Sequence, residues 1–416
     1  MKKRTIAKTG ATMLTMAMLL NGTTVFAAGM NYGAEIEGAK TTTFDKFLVM
    51  DSQANVPNAT FTYSVKAGDA KAYNVGENKF QVLAGVDADK ITMEGVGEGA
   101  GANKIVFKQG DGSDTHDTTK DAYVKDLTKG KKYALKTATL DFKKVQFTEP
   151  GVYRYIITES GTNQAITNDA DLTRVLDVYV NDATGEDGTM KLTIAGYVLH
   201  ASEDEITSGD DLGTTDTNPE GKSKGFTNSY DTSDLTLRKQ VEGNQASRDK
   251  YFEFTLNIEK AQPNTKYDVV IDEADATSKS NAATIEANAG KANVTSIITD
   301  GNGKATQKFY LQHGQQVTVQ GIAKDTTYAL TENTEDYKST ANTAAKPVVT
   351  IKTGTDSAEV NGTIASKDLT TGYLNTRKGT VPTGVIMTVA PFAAVTLLGA
   401  AGMVTIKMRK KEDDAE

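Results

Sequence analysis

Along the middle of the chain, hydrophobic positions recur at every second residue in short runs broken by Gly, Asn and Asp. Thr60 to Val65, Lys104 to Lys108, Val152 to Thr158, Val175 to Val180 and Lys191 to Leu199 carry this pattern. It resumes in Phe252 to Ile258, Tyr267 to Ile271, Lys308 to Leu311, Gln316 to Val319 and Val348 to Ile351. Residues two apart share one face of an extended chain, so these runs predict half-buried strands stacked into β-sandwiches. No segment between the two ends sustains a helical period. Asn281 to Ala289 shows a weak one, and Asp141 to Val145 suits a single turn. The polar stretches Gly110 to Asp121 and Ser202 to Lys224 read as loops. The expected fold is all-β: two tandem sandwiches over 28–230 and 231–379, with the boundary between Ser229 and Ser233.

The two ends break the pattern. Met1-Lys2-Lys3-Arg4 is a basic lead, and Ala11 to Leu20 is an apolar run too short to cross a membrane. Val25-Phe26-Ala27 then suits signal-peptidase cleavage, so residues 1–27 read as a signal peptide and the mature chain starts at Ala28. At the other end an uncharged run from Val385 to Ile406 precedes Lys407-Met408-Arg409-Lys410-Lys411. About 20 apolar residues span a bilayer, and a basic flank stays on the cytoplasmic side. Directly before the run stands Val381-Pro382-Thr383-Gly384. Residues 380–416 therefore resemble the cell-wall sorting signal of Gram-positive bacteria, which a sortase cuts between Thr and Gly. The usual signal has one residue between Pro and Thr. Its absence here resembles the shortened form of some pilin subunits.

Composition narrows the function. The 416 residues hold 46 Lys and Arg against 54 Asp and Glu, and no basic patch interleaves with aromatics, which argues against nucleic acid as a partner. Cys is 0, so an exported fold has to be secured by something other than disulfides, and no Cys nucleophile exists. His116, His200 and His313 are too dispersed for a metal motif. The Asp111–Asp114 and Asp210–Asp211 stretches match no calcium-binding loop, and Gly95–Gly101 lacks the Lys-Ser/Thr of a phosphate cradle. No cofactor or metal is expected.

Three short signatures occur twice in the same order. The first is Thr43-Phe44-Asp45-Lys46 and Thr236-Leu237-Arg238-Lys239. The second is Tyr155-Ile156-Ile157-Thr158-Glu159 and Tyr328-Ala329-Leu330-Thr331-Glu332. The third is Phe226-Thr227-Asn228 and Tyr373-Leu374-Asn375. Strand parity sets Lys239 with Leu235, Leu237 and Val241; Glu159 with Tyr155 and Ile157; Glu332 with Tyr328 and Leu330; and each Asn with its aromatic neighbour. Only Lys46 is ambiguous, because Phe44 and Leu48 flank one face while Phe47 and Val49 hold the other. Buried Lys and Glu are costly unless neutralised or paired, and burial lowers the amine pKa while raising that of the acid. A neutral Lys amine, an Asn carboxamide and a Glu proton shuttle are the components of an amide exchange that yields an isopeptide bond.

With these residues the exported region is similar to the major backbone pilins of Gram-positive bacteria, closest to the two-domain streptococcal T-antigen type. That resemblance implies CnaB-like, immunoglobulin-related sandwiches, each closed by a Lys–Asn isopeptide bond promoted by Glu. It maps onto Lys46, Glu159 and Asn228, and onto Lys239, Glu332 and Asn375. Tyr-Leu-Asn in place of Phe-Thr-Asn is one departure. The Gly- and Asp-rich loops of the longer first domain are another, expected to touch only the surface. The resemblance further implies an acceptor lysine shortly before the first bonded Asn, where Lys222 and Lys224 stand and spacing favours Lys222. Implied partners are a pilin-polymerising sortase, a housekeeping sortase with peptidoglycan, identical subunits, minor tip or basal pilins and a host ligand. The expectation is a structural protein of the pilus and cell wall, not an enzyme. The alternative is a monomeric wall-anchored adhesin for a host protein or glycan.

Overall fold

A computed structural model describes residues 40–75, 78–114, 120–161, 163–182, 192–203, 206, 221–273 and 293–380. The proposed signal peptide, sorting signal and weakly helical Asn281–Ala289 lie outside them, as do His116 and Asp210–Asp211. No helix among the described residues is long and apolar enough to cross a membrane. The described chain is strands and turns, apart from two single 3-10 turns at Ala88–Lys90 and Asp121–Tyr123.

The strands form two bodies, each of two facing sheets. In the first body, one sheet runs Ile166–Thr167, Gly225–Tyr230, Thr41–Asp51, Lys131–Asp141, Thr92–Met93. The facing sheet runs Leu192–His200, Thr173–Asp182, Gly151–Ser160, Ala59–Ala67, Lys104–Phe107. In the second body, Ser296–Ile298, Lys266–Glu273, Gln315–Ala323, Thr232–Glu242, Leu369–Thr376 and Lys338–Ala341 face Ala305–Leu311, Phe252–Glu259, Thr327–Glu332 and Asn361–Thr363. In both bodies the first and last strands are neighbours and run parallel. Alternating inward residues fill the space between the sheets: Phe44, Leu48, Phe61 and Tyr155 in one core, Leu235, Leu237, Phe254 and Leu330 in the other.

Two local readings needed correction. Val348–Ile351 is not a strand. It lies beside the Thr232–Glu242 strand through side chains, with Arg238 Nη1 donating to the Thr350 carbonyl at 2.7 Å and the Thr350 N–H to Gln240 Oε1 at 3.0 Å. The extra length of the first body does more than decorate a surface. A Lys71–Val75/Asn78–Ala84 hairpin and Ile206 help cover the outer face of the second sheet, where Tyr73, Val82, Val152, Val175 and Ile206 cluster. Val124 and Leu127 cover the outer face of the first sheet over Phe47, Val49 and Tyr133. Both faces of the Thr41–Asp51 strand are therefore apolar, and the two-faced pattern around Lys46 follows from that. Asp141–Val145 does make its single turn, closed by Val145 N–H to the Phe142 carbonyl at 3.0 Å.

Asp231 alone separates Gly225–Tyr230 from Thr232–Glu242. Its N–H donates to the Ala165 carbonyl at 2.7 Å and its carbonyl accepts from Lys324 N–H at 3.0 Å. Its carboxylate accepts from Thr167 Oγ1 at 2.8 Å, and Thr232 Oγ1 donates to Asp51 at 2.8 Å. Ala323 packs into the first core, and Gly321 passes so near Ala54 that an added Cβ would lie 2.7 Å from its Cα.

Candidate functional site: two buried Lys, Glu and Asn trios

The parallel register sets Lys46 against Phe226 and Leu48 against Asn228, so the amine and carboxamide are diagonal neighbours on adjacent strands. Glu159 arrives from the facing sheet, opposite Tyr63 in its own ladder. Lys46 Nζ donates to Glu159 Oε2 at 2.6 Å and also to Asn228 Oδ1. Tyr63 donates its hydroxyl to the same Glu159 oxygen at 2.6 Å. Lys46 is 0 % exposed, Glu159 2 % and Asn228 1 %. The ring of Phe61 lies 4.1 Å from the ammonium and covers that side of it. Burial pulls the Lys46 amine down to about 8, against the opposing pull of Glu159, and it pushes the Tyr63 phenol well up, helped by the Glu159 charge.

The second trio repeats the strand register and the buried Lys–Glu pair, with the carboxamide turned the other way. Val241 is the register partner of Asn375, as Leu48 is of Asn228, each two residues past the lysine. Lys239 Nζ meets Glu332 Oε1 at 2.6 Å, with both side chains 0 % exposed. Asn375 Nδ2 donates to that oxygen at 3.1 Å, and Ser339 Oγ donates to Glu332 Oε2 at 2.8 Å. Phe252 and Phe254 wall the amine at 4.4 and 5.8 Å, and burial again lowers it to about 8. Each trio thus gathers an amine of lowered basicity, a carboxylate and a carboxamide, the parts an amide exchange needs.

Sequence reading missed the glycines that let these strands meet. Gly225 (φ 154°) and Gly372 (φ 150°) each stand three residues before the Asn. A Cβ at Gly225 would lie 1.7 Å from the Asp45 carbonyl oxygen, and one at Gly372 2.0 Å from that of Arg238. The signal is a shared Gly-aromatic-x-Asn, legible only once the close approach is seen. Gly225→Ala is expected to destabilise the first body by at least the ~1–3 kcal/mol of core overpacking. It should also suppress coupling of Lys46 to Asn228, while the Lys239–Asn375 pair reacts normally. Coupling of Lys46 at the wild-type level, read by peptide mass, would show that the close approach is not required.

Of the remaining candidates, Lys222 forms a backbone bridge with His200. Lys224 gives its carbonyl to Asp45 N–H at 2.6 Å and sets its ammonium 5.2 Å from the Tyr123 ring. Both lysines are half-buried, and Val381, Pro382, Thr383 and Gly384 lie outside the described residues. Gly95–Gly101 forms a turn between short strands, and Asp111 accepts from Lys108 N–H at 2.8 Å and pairs with Lys136 at 3.0 Å. His313 Nδ1 accepts from Val241 N–H at 2.9 Å, and His200 lies 3.3 Å from Asp177, itself held bidentately by Arg154. Among the described residues no group of acids and histidines is arranged to hold a metal ion.

A two-body, all-β chain with a Lys, Glu and Asn trio inside each body defines a class of tandem β-sandwich proteins, and comparison with known proteins supplies the family. A profile described as the Spy0128-like isopeptide containing domain matches residues 23–231, and the chain belongs to that family. Residues 233–377 match a domain of unknown function, DUF7601. The chain is 26 % identical over 417 positions, 99 % of both chains, to a pilin of Streptococcus pyogenes serotype M1. It is similar to the crystal structure of the major pilin from Streptococcus pyogenes at TM-score 0.49 and 21 % identity, covering 82 % of this chain and 99 % of that one. The T3.2 major pilin of the same species gives TM-score 0.46 and 19 % identity over 82 % of this chain and 100 % of the other. The chain is a structural protein of the pilin type.

Proposed function

We propose that this chain is the shaft-forming subunit of a covalent pilus on a Gram-positive cell surface, built of two CnaB-like, immunoglobulin-related sandwiches that each close their own isopeptide bond. The observation that carries this reading is the paired placement of a buried Lys, Glu and Asn at the junction of the first and last strands of both bodies.

In each body the Glu carboxylate takes a proton from the lysine ammonium, freeing the amine. The amine attacks the Asn Cγ, the protonated Glu passes its proton to the amide nitrogen and takes the second proton from Nζ, and ammonia departs, picking up that proton as ammonium while the new C–N bond settles into an amide. The balance is one Lys ammonium and one carboxamide converted to one secondary amide and one ammonium ion. The roles fall to Lys46, Glu159 and Asn228, and to Lys239, Glu332 and Asn375.

Between subunits, a pilin-polymerising sortase cleaves after Thr383 and transfers its carbonyl to a lysine of the next copy, Lys222 or Lys224. A housekeeping sortase then joins the finished polymer to peptidoglycan, and minor pilins at tip or base complete it. Strands under load at both termini are the two that the internal bond ties together, so tension bypasses the hydrogen-bonded ladder.

Cell-wall extracts boiled in detergent should show a ladder of covalent multimers, whereas a monomeric adhesin gives a single band. Lys222→Ala, Lys224→Ala or the double variant should abolish the ladder. A ladder that survives the double variant would place the acceptor elsewhere.

A further inference from the structure

The segment following the Glu159 strand makes two contacts with Asn228 that the trio does not itself provide. Ile166–Thr167 pairs antiparallel with Ser229–Tyr230, which carries the next two residues alongside Asn228. The Asp169 N–H donates to Asn228 Oδ1 at 3.2 Å in a buried setting, and Asn228 Nδ2 donates to Asn168 Oδ1 at 3.1 Å. A backbone N–H can only donate, so it fixes which end of the Asn228 carboxamide is oxygen and turns the nitrogen toward Asn168. Asp169 is held in place in turn. Its carboxylate accepts from Thr227 N–H at 2.8 Å, from Lys125 at 3.2 Å and from Arg174. Burial alone would raise its pKa, but Arg174, the Thr227 N–H and Lys125 together hold it low, so the anchor stays charged. Arg174 also grips the Gly225 carbonyl at 2.7 Å, tying the same segment to the start of the last strand.

We propose that the Asp169 backbone N–H and the Asn168 side chain orient and polarise the Asn228 carboxamide for attack by Lys46. This rests on the amide-exchange reading above. As the Lys46 Nζ–Cγ bond forms, the carbonyl π electrons move onto Oδ1, where a preorganised donor already points. As the Cγ–Nδ2 bond breaks, the nitrogen, protonated through Glu159, leaves as ammonia from the position Asn168 has held. Asn168 is a positioning residue, and the Asp169 N–H is the oxyanion donor. The second body is built differently. Among the described residues Asn375 Oδ1 has no hydrogen-bond partner, and Ser339, its register partner, gives its hydroxyl to Glu332. Two bonds in one chain therefore differ in speed, the first closing before the second.

Time-resolved mass spectrometry of the full chain made by cell-free synthesis, with linked peptides assigning each bond, tests this. Wild type should close Lys46–Asn228 ahead of Lys239–Asn375. Asn168→Ala should slow the first bond by roughly tenfold to a hundredfold, the scale for misplacing a reacting group, and leave the second unchanged. Asn168→Asp, which keeps an acceptor oxygen, should recover most of the rate. The proposal is overturned if Asn168→Ala closes the first bond at the wild-type rate or if Asn168→Asp is as slow as Asn168→Ala. It is also overturned if adding Asn168→Ala to an Asn228→Ala chain lowers Tm enough to account for the slowing. A wild-type chain that forms neither bond would refute the amide exchange itself, a result distinct from all of these.

Discussion

Glu159→Ala is expected to yield a folded chain one ammonia heavier than the same variant would be with both bonds closed, with Lys46 and Asn228 recovered as separate peptides. Glu332→Ala should do the same for Lys239 and Asn375, and the double variant should retain two ammonia masses. The reasoning is electrostatic. Each lysine sits at 0 % exposure with its basicity pulled down to about 8, so near neutral pH it is still mostly an ammonium and cannot attack. In the proposed exchange the carboxylate 2.6 Å away removes that proton and later returns one to the leaving nitrogen. Alanine in its place also leaves a buried ammonium with no counter-charge, which favours neutralisation but supplies no donor for the departing ammonia. Glu→Gln offers a second arm that keeps volume and removes only the acid. The idea fails if recombinant wild-type chain, from Ala28 to Thr383, carries its full unmodified mass.

Asn228→Ala is expected to cost the first body about 5 kcal/mol by the loop-closure argument, since the proposed tie joins residues 182 apart in the chain. It should also create a pH dependence that the linked protein lacks. With the bond formed, Lys46 Nζ is an amide nitrogen and does not titrate. Unlinked, burial keeps its folded pKa near 8, below the 10.5 of the unfolded chain. Between those values the unfolded state binds more protons, so stability rises with pH and the deficit narrows, while below about 8 the full cost is present. Thermal unfolding of wild type and Asn228→Ala at pH 7 and pH 9.5 measures both effects. Equal Tm values at either pH would mean that no covalent tie exists in the wild type.

Much of this was legible from alternation alone, because one wet face and one dry face make strand parity readable. Lys239, Glu332 and Asn375 were placed inward from their neighbours and are inward. Lys46 could not be placed that way, since Val124 and Leu127 cover the outer face of its strand and make both sides apolar. Val348–Ile351 misled because Val and Ile there pack without any ladder, secured instead by Gln240 and Arg238 side chains. Tyr63, Asn168, Asp169 and the two glycines were invisible for another reason. Their roles depend on contacts across facing or adjacent strands, and no local spacing announces which residue will stand opposite another. The duplicated order of Lys, Glu and Asn compensated because it is a non-local signal that happens to be written linearly.

The single-residue connection through Asp231 carries a consequence for the shape of any filament made from this chain. A hinge needs backbone torsions free to turn, yet the N–H, carbonyl and carboxylate of Asp231 are all engaged, and Gly321 abuts Ala54 beside it. Bending between the two bodies would break that set of hydrogen bonds together with the packing of Ala323. Curvature is thus excluded from the middle of each repeat and falls on the joints where one chain meets the next. Such a filament flexes once per chain rather than once per sandwich, as a string of long stiff rods rather than of short beads.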